Sequence, residues 1–200
     1  GVAAEQVWIA MEFVEGQTKS QWLAEKPRTW REILTVFCAA GEGLKSAHDA
    51  GLIHRDFKPD NVMIARDGRA RVMDFGLARA EHALEMSLST PGIPSSPLKA
   101  DLTAAGALVG SPKYMAPEQW TGQATHSATD QFAFCVSLWE ALYRAHPFGG
   151  HSVAELSIAV TEGKLRPIPT GVPILARVRR VLLRGLAVDP LHRWPSMDAL

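Results

Sequence analysis

The segment His54–Asn61, with the sequence HRDFKPDN, places an acid, a base and an amide within eight residues. Phosphoryl transfer needs a carboxylate that positions the attacking hydroxyl and accepts its proton, a cation near the transferring phosphate, and oxygen ligands for Mg2+. Asp56, Lys58 and Asn61 supply these functions in that order. Asp74 comes later, directly after a predicted strand, where its carboxylate could hold Mg2+ and Gly76 would let the backbone turn. The pattern therefore predicts a site for phosphoryl transfer.

Helical and strand-forming patterns surround these residues. The capping box Thr29–Glu32 opens an apolar pattern with helical spacing that ends at Gly51. Two short strands are predicted at 62–64 and 71–73, around a turn at 66–68. The remaining predictions are a buried strand over 7–14, helices over 20–25, 130–143, 153–162 (with a capping box at Ser152 and Glu155) and 174–188, and a long loop over 81–109.

Composition limits the classes of function. The chain has 21 basic and 21 acidic residues and no basic block, which argues against nucleic-acid binding and against membrane contact from this segment. The longest apolar stretch, Phe132–Tyr143, is too short to span a bilayer and predicts a buried helix. Cys38 and Cys135 lack metal-ligand spacing, and we expect both to be core thiols.

Three motifs in chain order resemble the protein kinase family. HRDFKPDN is similar to the family's catalytic loop, Asp74-Phe75-Gly76 to its metal-binding motif, and Ala116-Pro117-Glu118 to the end of its activation segment. Chance agreement at five positions of the catalytic loop alone is about one in a million per start site.

The resemblance implies a fold that is mainly α with small β elements, the kinase-like C-terminal lobe (α+β). Residues 1–16 would be the end of an N-lobe strand and the hinge, and residues 17–200 a helical lobe with catalytic loop 54–61 and activation segment 74–118. No glycine-rich loop and no ATP-clamping lysine precede the hinge in this sequence, so we expect these 200 residues alone to be inactive or nearly inactive.

The resemblance also assigns roles at the site. Asp56 would be the catalytic base, Lys58 the contact to the γ-phosphate of ATP, and Asn61 and Asp74 the Mg2+ ligands. The adenine of ATP would be contacted by residues of the hinge and of the strand after the catalytic loop: Met11, Glu12, Val14 and Met63.

Lys58 and the segment GSPKYMAPE are typical of the serine/threonine branch of the family. Ser111 stands where that branch usually has threonine, and its hydroxyl is expected to bridge Asp56 and Lys58; the alternative is a serine that only turns the chain. Arg55 would receive a phosphate on the activation segment, at Thr103 or at a nearby hydroxyl (Ser87, Ser89 or Thr90). The alternative is that these hydroxyls only solvate a loop.

Five further residues match structural positions of the family. Glu118 and Arg193 match a buried salt bridge, Asp130 a carboxylate that anchors the catalytic-loop backbone, and His54 and Phe75 a stacked pair in the core. The other histidines, among them His48, are interpreted as surface or packing residues.

The function implied is ATP- and Mg2+-dependent transfer to serine or threonine hydroxyls of proteins, as part of a larger bacterial, eukaryotic-like kinase. Such a kinase would be cytoplasmic, with any membrane tether outside this segment, and its activation loop could be autophosphorylated in trans. Two alternatives stay open. One is a non-catalytic, pseudokinase-like binding module; the other is a small-molecule phosphotransferase, a class that shares a similar loop but lacks the APE segment and the Lys58 pattern.

Overall fold

A computed structural model describes residues 14–75, 111–169 and 174–200, and the backbone of two short strands near the start. The fold is mainly α with a small antiparallel sheet, as predicted. The helices are α1 (Lys19–Glu25), α2 (Trp30–Asp49), α3 (Pro117–Trp120), α4 (Ser127–Tyr143), α5 (Val153–Thr161) and α6 (Ala176–Gly185). The strands are β1 (Val2–Ala3), β2 (Gln6–Val7), β3 (Gly16–Thr18), β4 (Val62–Ala65) and β5 (Ala70–Val72).

The sheet next to the HRDFKPDN segment has the order β3-β4-β5, with Met63 opposite both Thr18 and Arg71. The turn between β4 and β5 contains Gly68 at a φ of 83°, which a glycine adopts without strain. Both strands lie within one residue of their predicted bounds. Of the strand predicted over 7–14, residues 8–13 lie outside the described residues.

Side-chain caps start the helices. The Thr29 hydroxyl accepts the Glu32 amide, and the Glu32 carboxylate accepts the Thr29 amide at 2.8 Å, which confirms this capping box. Ser152 also caps its helix, but the Glu155 carboxylate accepts the amide of His151 instead of Ser152. Helix α6 ends at Gly185, three residues before the predicted end at 188. The carbonyls of Ala187 and Val188 accept hydrogen bonds from the Arg193 guanidinium instead of from helical amides.

Helix α4 lies at the centre of the core. Its residues from Thr129 to Trp139 are all buried. Aromatic rings of α2 and of the HRDFKPDN segment pack on it, since the ring centroids of Phe37 and Phe57 lie 5.4 and 5.6 Å from that of Phe134. The prediction of a buried helix here is confirmed. Within the described residues, no helix is both long and apolar enough to cross a membrane. Cys135 is buried, whereas Cys38 is exposed because it follows Phe37 onto the outer face of α2, so the prediction was wrong for Cys38.

The structure contains a buried salt bridge between Glu118 and Arg193. Both guanidinium Nη atoms donate to the Glu118 carboxylate at 2.8 Å, and Thr129 donates to the same carboxylate. Backbone carbonyls of Ala128, Ala187 and Val188 accept the remaining three N–H groups of Arg193. Burial raises the pKa of Glu118, but the hydrogen bonds and charge of Arg193 outweigh it and leave this pKa below its ordinary value. The pair thus joins α3, α4 and the chain after α6.

Lys19, the first residue of α1, is a lysine in the core. It is 0% exposed, and among the described residues its Nζ has no hydrogen-bond partner. Burial lowers its pKa from 10.5 to about 7, although the charges of Asp60 and Glu140 oppose the shift. A desolvated ammonium without a hydrogen bond costs folding free energy.

Lys19→Met should therefore stabilise the chain in a pH-dependent way. Between the folded and unfolded pKa values the unfolded chain binds more protons, so the wild-type free energy of unfolding rises with pH in that window. At about pH 6 both states are protonated and the full penalty remains, so the variant should gain roughly 3–5 kcal/mol there and progressively less towards about pH 10. Urea unfolding across this range measures the difference. A gain that is constant with pH, or no gain, contradicts a titrating, buried Lys19.

Candidate active site

The Asp130 carboxylate on α4 holds the start of the segment 54–61. Its Oδ2 accepts the amide of His54 at 2.8 Å, and its Oδ1 accepts the amide of Arg55 at 2.7 Å. Nε2 of His48, in the last turn of α2, lies 2.7 Å from Oδ2. Since Asp130 is buried, these donors replace water around its charge. Arg55 takes a left-handed φ of 69° at this anchor, which turns the chain towards Asp56.

Asp56, Lys58 and Asn61 come together beyond the anchor. Lys58 Nζ lies 2.8 Å from Asp56 Oδ2, and the side-chain amide of Asn61 donates to the Asp56 carbonyl at 2.9 Å. The side chains of Asp56 and Lys58 are about a quarter exposed, at 23% and 25%, so a substrate can reach them. The backbone amide of Ser111 donates to Asp56 Oδ1 at 3.4 Å.

The bridge expected from the Ser111 hydroxyl is not seen, because the contact to Asp56 comes from the backbone. In the described part of the chain the hydroxyl makes no hydrogen bond to either Asp56 or Lys58. A backbone contact is available to any residue other than proline, so the residue type at 111 gives no signal for it.

The His54 ring joins this segment to the chain before Asp74. Its Nε2 donates to the Met73 carbonyl at 2.8 Å, and the ring packs on Phe75 with centroids 4.8 Å apart. The Met73 amide donates to the Asn61 carbonyl at 2.9 Å. Asp74 is the next residue in the chain, so this hydrogen bond holds its backbone close to Asn61. Asp74 has a left-handed φ of 60°, which redirects the backbone as it leaves the sheet.

Gln119 on α3 connects the segment 111–118 to the anchor. Its side-chain amide donates to the Arg55 carbonyl at 2.8 Å, and its carbonyl accepts the Ala116 amide at 2.9 Å. Lys113 forms an ion pair with Glu140 of α4 at 2.7 Å. Burial raises the pKa of Tyr114, and the charge and hydrogen bond of Glu140 raise it further. The segment after Ser111 is thus fixed to both the site and α4.

Comparison with known proteins agrees with this geometry. A family model described as a protein kinase domain matches residues 2–195. The chain belongs to the protein kinase family. It is 32% identical to the serine/threonine-protein kinase Pkn1 of Myxococcus xanthus and 31% identical to PknB of Mycobacterium tuberculosis, alignments that cover 96% and 94% of this chain. It is also 31% identical to a probable serine/threonine-protein kinase, SCO3848, of Streptomyces coelicolor, over 96% of the chain. The kinase chain spans about a quarter of the length of these relatives, namely 26%, 28% and 27%.

Part of the predicted ATP and regulatory set lies outside the described residues of the kinase chain: Met11, Glu12 and Thr103. Val14 is half-buried just before β3, and Met63 is half-buried on β4. The described residues therefore give no geometry for a hinge contact to adenine. They do give the sheet position of Met63, opposite Thr18 at the end of β3.

Protein kinases in general use ATP with a divalent metal, and two side chains here fit Mg2+. Asn61 uses its amide nitrogen in the bond to Asp56, which leaves its carbonyl oxygen as a donor. The Asp74 carboxylate forms no ion pair with any described residue. One amide oxygen and one carboxylate are hard donors of the kind that Mg2+ takes, with water and phosphate oxygens in its other positions.

Sequence reasoning missed two polar residues of this kinase site. His48 was interpreted as surface or packing, but it contacts Asp130 from 82 residues away. Gln119 was not singled out, although it links α3 to Arg55. Gln119 stands three residues after the N-cap residue Ala116, at the position where a capping box has Glu or Gln. This spacing predicts the bond to the Ala116 amide, but it does not predict the bond to the Arg55 carbonyl.

His48→Ala should loosen the anchor of the kinase site. Asp130 Oδ2 would lose one of its two donors inside the core, which should cost about 1–2 kcal/mol of unfolding free energy. Amide hydrogen exchange of residues 54–61 should become faster at the same time. His151→Ala, at an exposed histidine, is the matched control and should change neither quantity. Unchanged exchange in His48→Ala would show that the contact does not support the site.

Proposed function

We propose that this kinase domain transfers the γ-phosphoryl group of ATP to serine or threonine hydroxyls of protein substrates, with Mg2+. The grouping of Asp56, Lys58 and Asn61 in one anchored loop is the observation that carries the proposal. Phosphoryl transfer relies on positioning and electrostatic stabilisation, which is what a fixed, partly exposed group of this kind supplies.

Each residue has a distinct part in the proposed reaction. Asp56 orients the incoming hydroxyl and accepts its proton, while the hydroxyl oxygen bonds to the γ-phosphorus of ATP and the bond from that phosphorus to the bridging oxygen of the leaving ADP breaks. Lys58 places a positive charge beside that carboxylate, where the transferring phosphoryl group arrives. Asn61 and Asp74 would hold Mg2+, which neutralises phosphate charge when bound. Met11, Glu12, Val14 and Met63 remain the proposed adenine contacts.

Serine and threonine are the proposed acceptors for two reasons. Lys58, two residues after the base, is typical of the serine/threonine branch, and the relatives named above are serine/threonine-protein kinases. Because ATP and protein substrates meet in the cytoplasm, we place the domain there and propose that a second copy phosphorylates the activation segment in trans.

Asp56→Asn in the full-length protein should abolish measurable transfer of 32P from ATP to a protein substrate. The amide keeps the shape of the carboxylate but cannot accept the proton, so we expect a loss of at least about 100-fold in kcat. Asp67→Asn, in the exposed turn after β4, is the control and should retain full activity. Substantial transfer by Asp56→Asn would rule out the proposed base. No transfer by the wild type with any protein substrate would favour a non-catalytic binding module.

Arg55 supports a regulatory proposal at the same site. Its Nε is buried and has no hydrogen-bond partner among the described residues, so a guanidinium N–H is available for an anion. We propose that a phosphate on Thr103, or on Ser87, Ser89 or Thr90, occupies it and orders the activation segment.

Phosphopeptide mapping of the active full-length protein should find one of these four hydroxyls modified. Phosphatase treatment should lower kcat in the wild type but not in Arg55→Met. An active protein with an unmodified segment 76–110 contradicts this mode of regulation.

A further inference from the structure

Lys19 contacts the rings beneath the catalytic loop, which is the segment 54–61. Its Nζ lies 3.8 Å from the centroid of the Phe37 ring and 5.0 Å from that of Phe57. It is fully buried, and no described residue accepts a hydrogen bond from it. The aromatic faces are therefore its closest favourable partners, and such contacts are strongest for a desolvated cation.

Phe57 links Lys19 to the reacting groups, since it stands between Asp56 and Lys58 in the chain. It is 0% exposed, and its ring packs edge-on to His54 at 5.9 Å and against Phe134 at 5.6 Å. A shift of this ring would move both neighbours, because they share its backbone. Lys19 itself has no exposed atoms with which to reach a substrate.

Among the residues that the structure describes, the charges that act on Lys19 come from two elements. Asp60 belongs to the turn at the end of the catalytic loop, and Glu140 belongs to α4. Helix α2 contributes the Phe37 ring. On α4, Ser137 is three residues before Glu140 and also has a buried hydroxyl without a described partner. These acidic groups favour the ammonium, while burial opposes it, so the pKa of about 7 allows both forms near neutral pH.

Glu140 connects the same network to the chain after Ser111. Its charge acts on Lys19, and it also forms an ion pair with Lys113 at 2.7 Å and a hydrogen bond with Tyr114. The charge of Lys19 therefore interacts with two parts of the site. One is the catalytic loop, through Phe57 and Asp60, and the other is the segment after Ser111, through Glu140.

We propose that Lys19 is a positioning residue for phosphoryl transfer, whose ammonium holds Phe57 from below and so keeps Asp56 and Lys58 in place. The inference rests on the proposed function. The neutral amine loses most of its attraction to the ring and to Asp60 and Glu140, so the loop becomes less fixed. The charge of Lys19 thus organises the site although its burial costs stability.

The test uses the full-length protein with Lys19→Met, permanently neutral, and Lys19→Arg, permanently charged. Steady-state kcat and KM are measured from about pH 6 to about pH 9. At the acidic end Lys19→Met should have a kcat about fivefold below wild type, and at the alkaline end it should equal wild type. Lys19→Arg should match wild type at the acidic end and exceed it at the alkaline end. KM for the protein substrate should not change. Lys26→Met, at the exposed end of α1, is the control and should follow wild type throughout.

Hydrogen exchange of residues 54–61, compared with wild type at each pH, decides the inference without any activity. Lys19→Met should exchange faster than wild type at the acidic end and equally at the alkaline end. Variants that fold and share the wild-type pH profile and the wild-type exchange overturn the proposal. If the wild type transfers no phosphate but the exchange differences are present, the proposed function is contradicted. The coupling between Lys19 and the catalytic loop is then still supported.

Discussion

The site depends on one buried carboxylate, that of Asp130, and on the backbone amides that it receives. This carboxylate accepts the backbone N–H groups of His54 and Arg55, and Arg55 has a left-handed φ of 69° where the chain turns towards Asp56. Hydrogen bonds connect this anchored segment to its neighbours. The His54 ring donates to the Met73 carbonyl, the Asn61 carbonyl accepts the Met73 amide, and the Arg55 carbonyl accepts the side-chain amide of Gln119. The residues that follow β5, the segment 54–61 and α3 are therefore all linked to α4 through Asp130.

The core around α4 makes that anchor rigid. Aromatic packing surrounds the helix, and the Glu118–Arg193 pair satisfies every N–H of a buried guanidinium while it fixes α3 against α4. Such a pair contributes geometry more surely than it contributes stability. Lys19 is a second buried charge that costs stability, because its burial opposes folding. Its contact with the ring of Phe57 connects the core to the neighbouring residues Asp56 and Lys58.

Much of this arrangement was predictable from local spacing. The capping box at Thr29, the strands on either side of residues 66–68 and the order of Asp56, Lys58 and Asn61 all depend on residues a few positions apart. The rest depends on contacts between distant segments, for which a single sequence has no period. His48 meets Asp130 across 82 residues and Gln119 meets Arg55 across 64. A lysine at the start of α1 also looks like a solvent-facing residue until the packing of Phe37 and Phe57 over it is known.

We propose that the anchored loop gathers one site for metal and phosphate, and the position of a bound metal is the sharpest test of this proposal. Crystals of the full-length protein with a non-hydrolysable ATP analogue and Mn2+ in place of Mg2+ would show the metal by its anomalous scattering. Mn2+ is expected to bond to an Asn61 oxygen and to the Asp74 carboxylate, with the terminal phosphate near Lys58. Metal and nucleotide bound together away from Asn61 and Asp74 would contradict it.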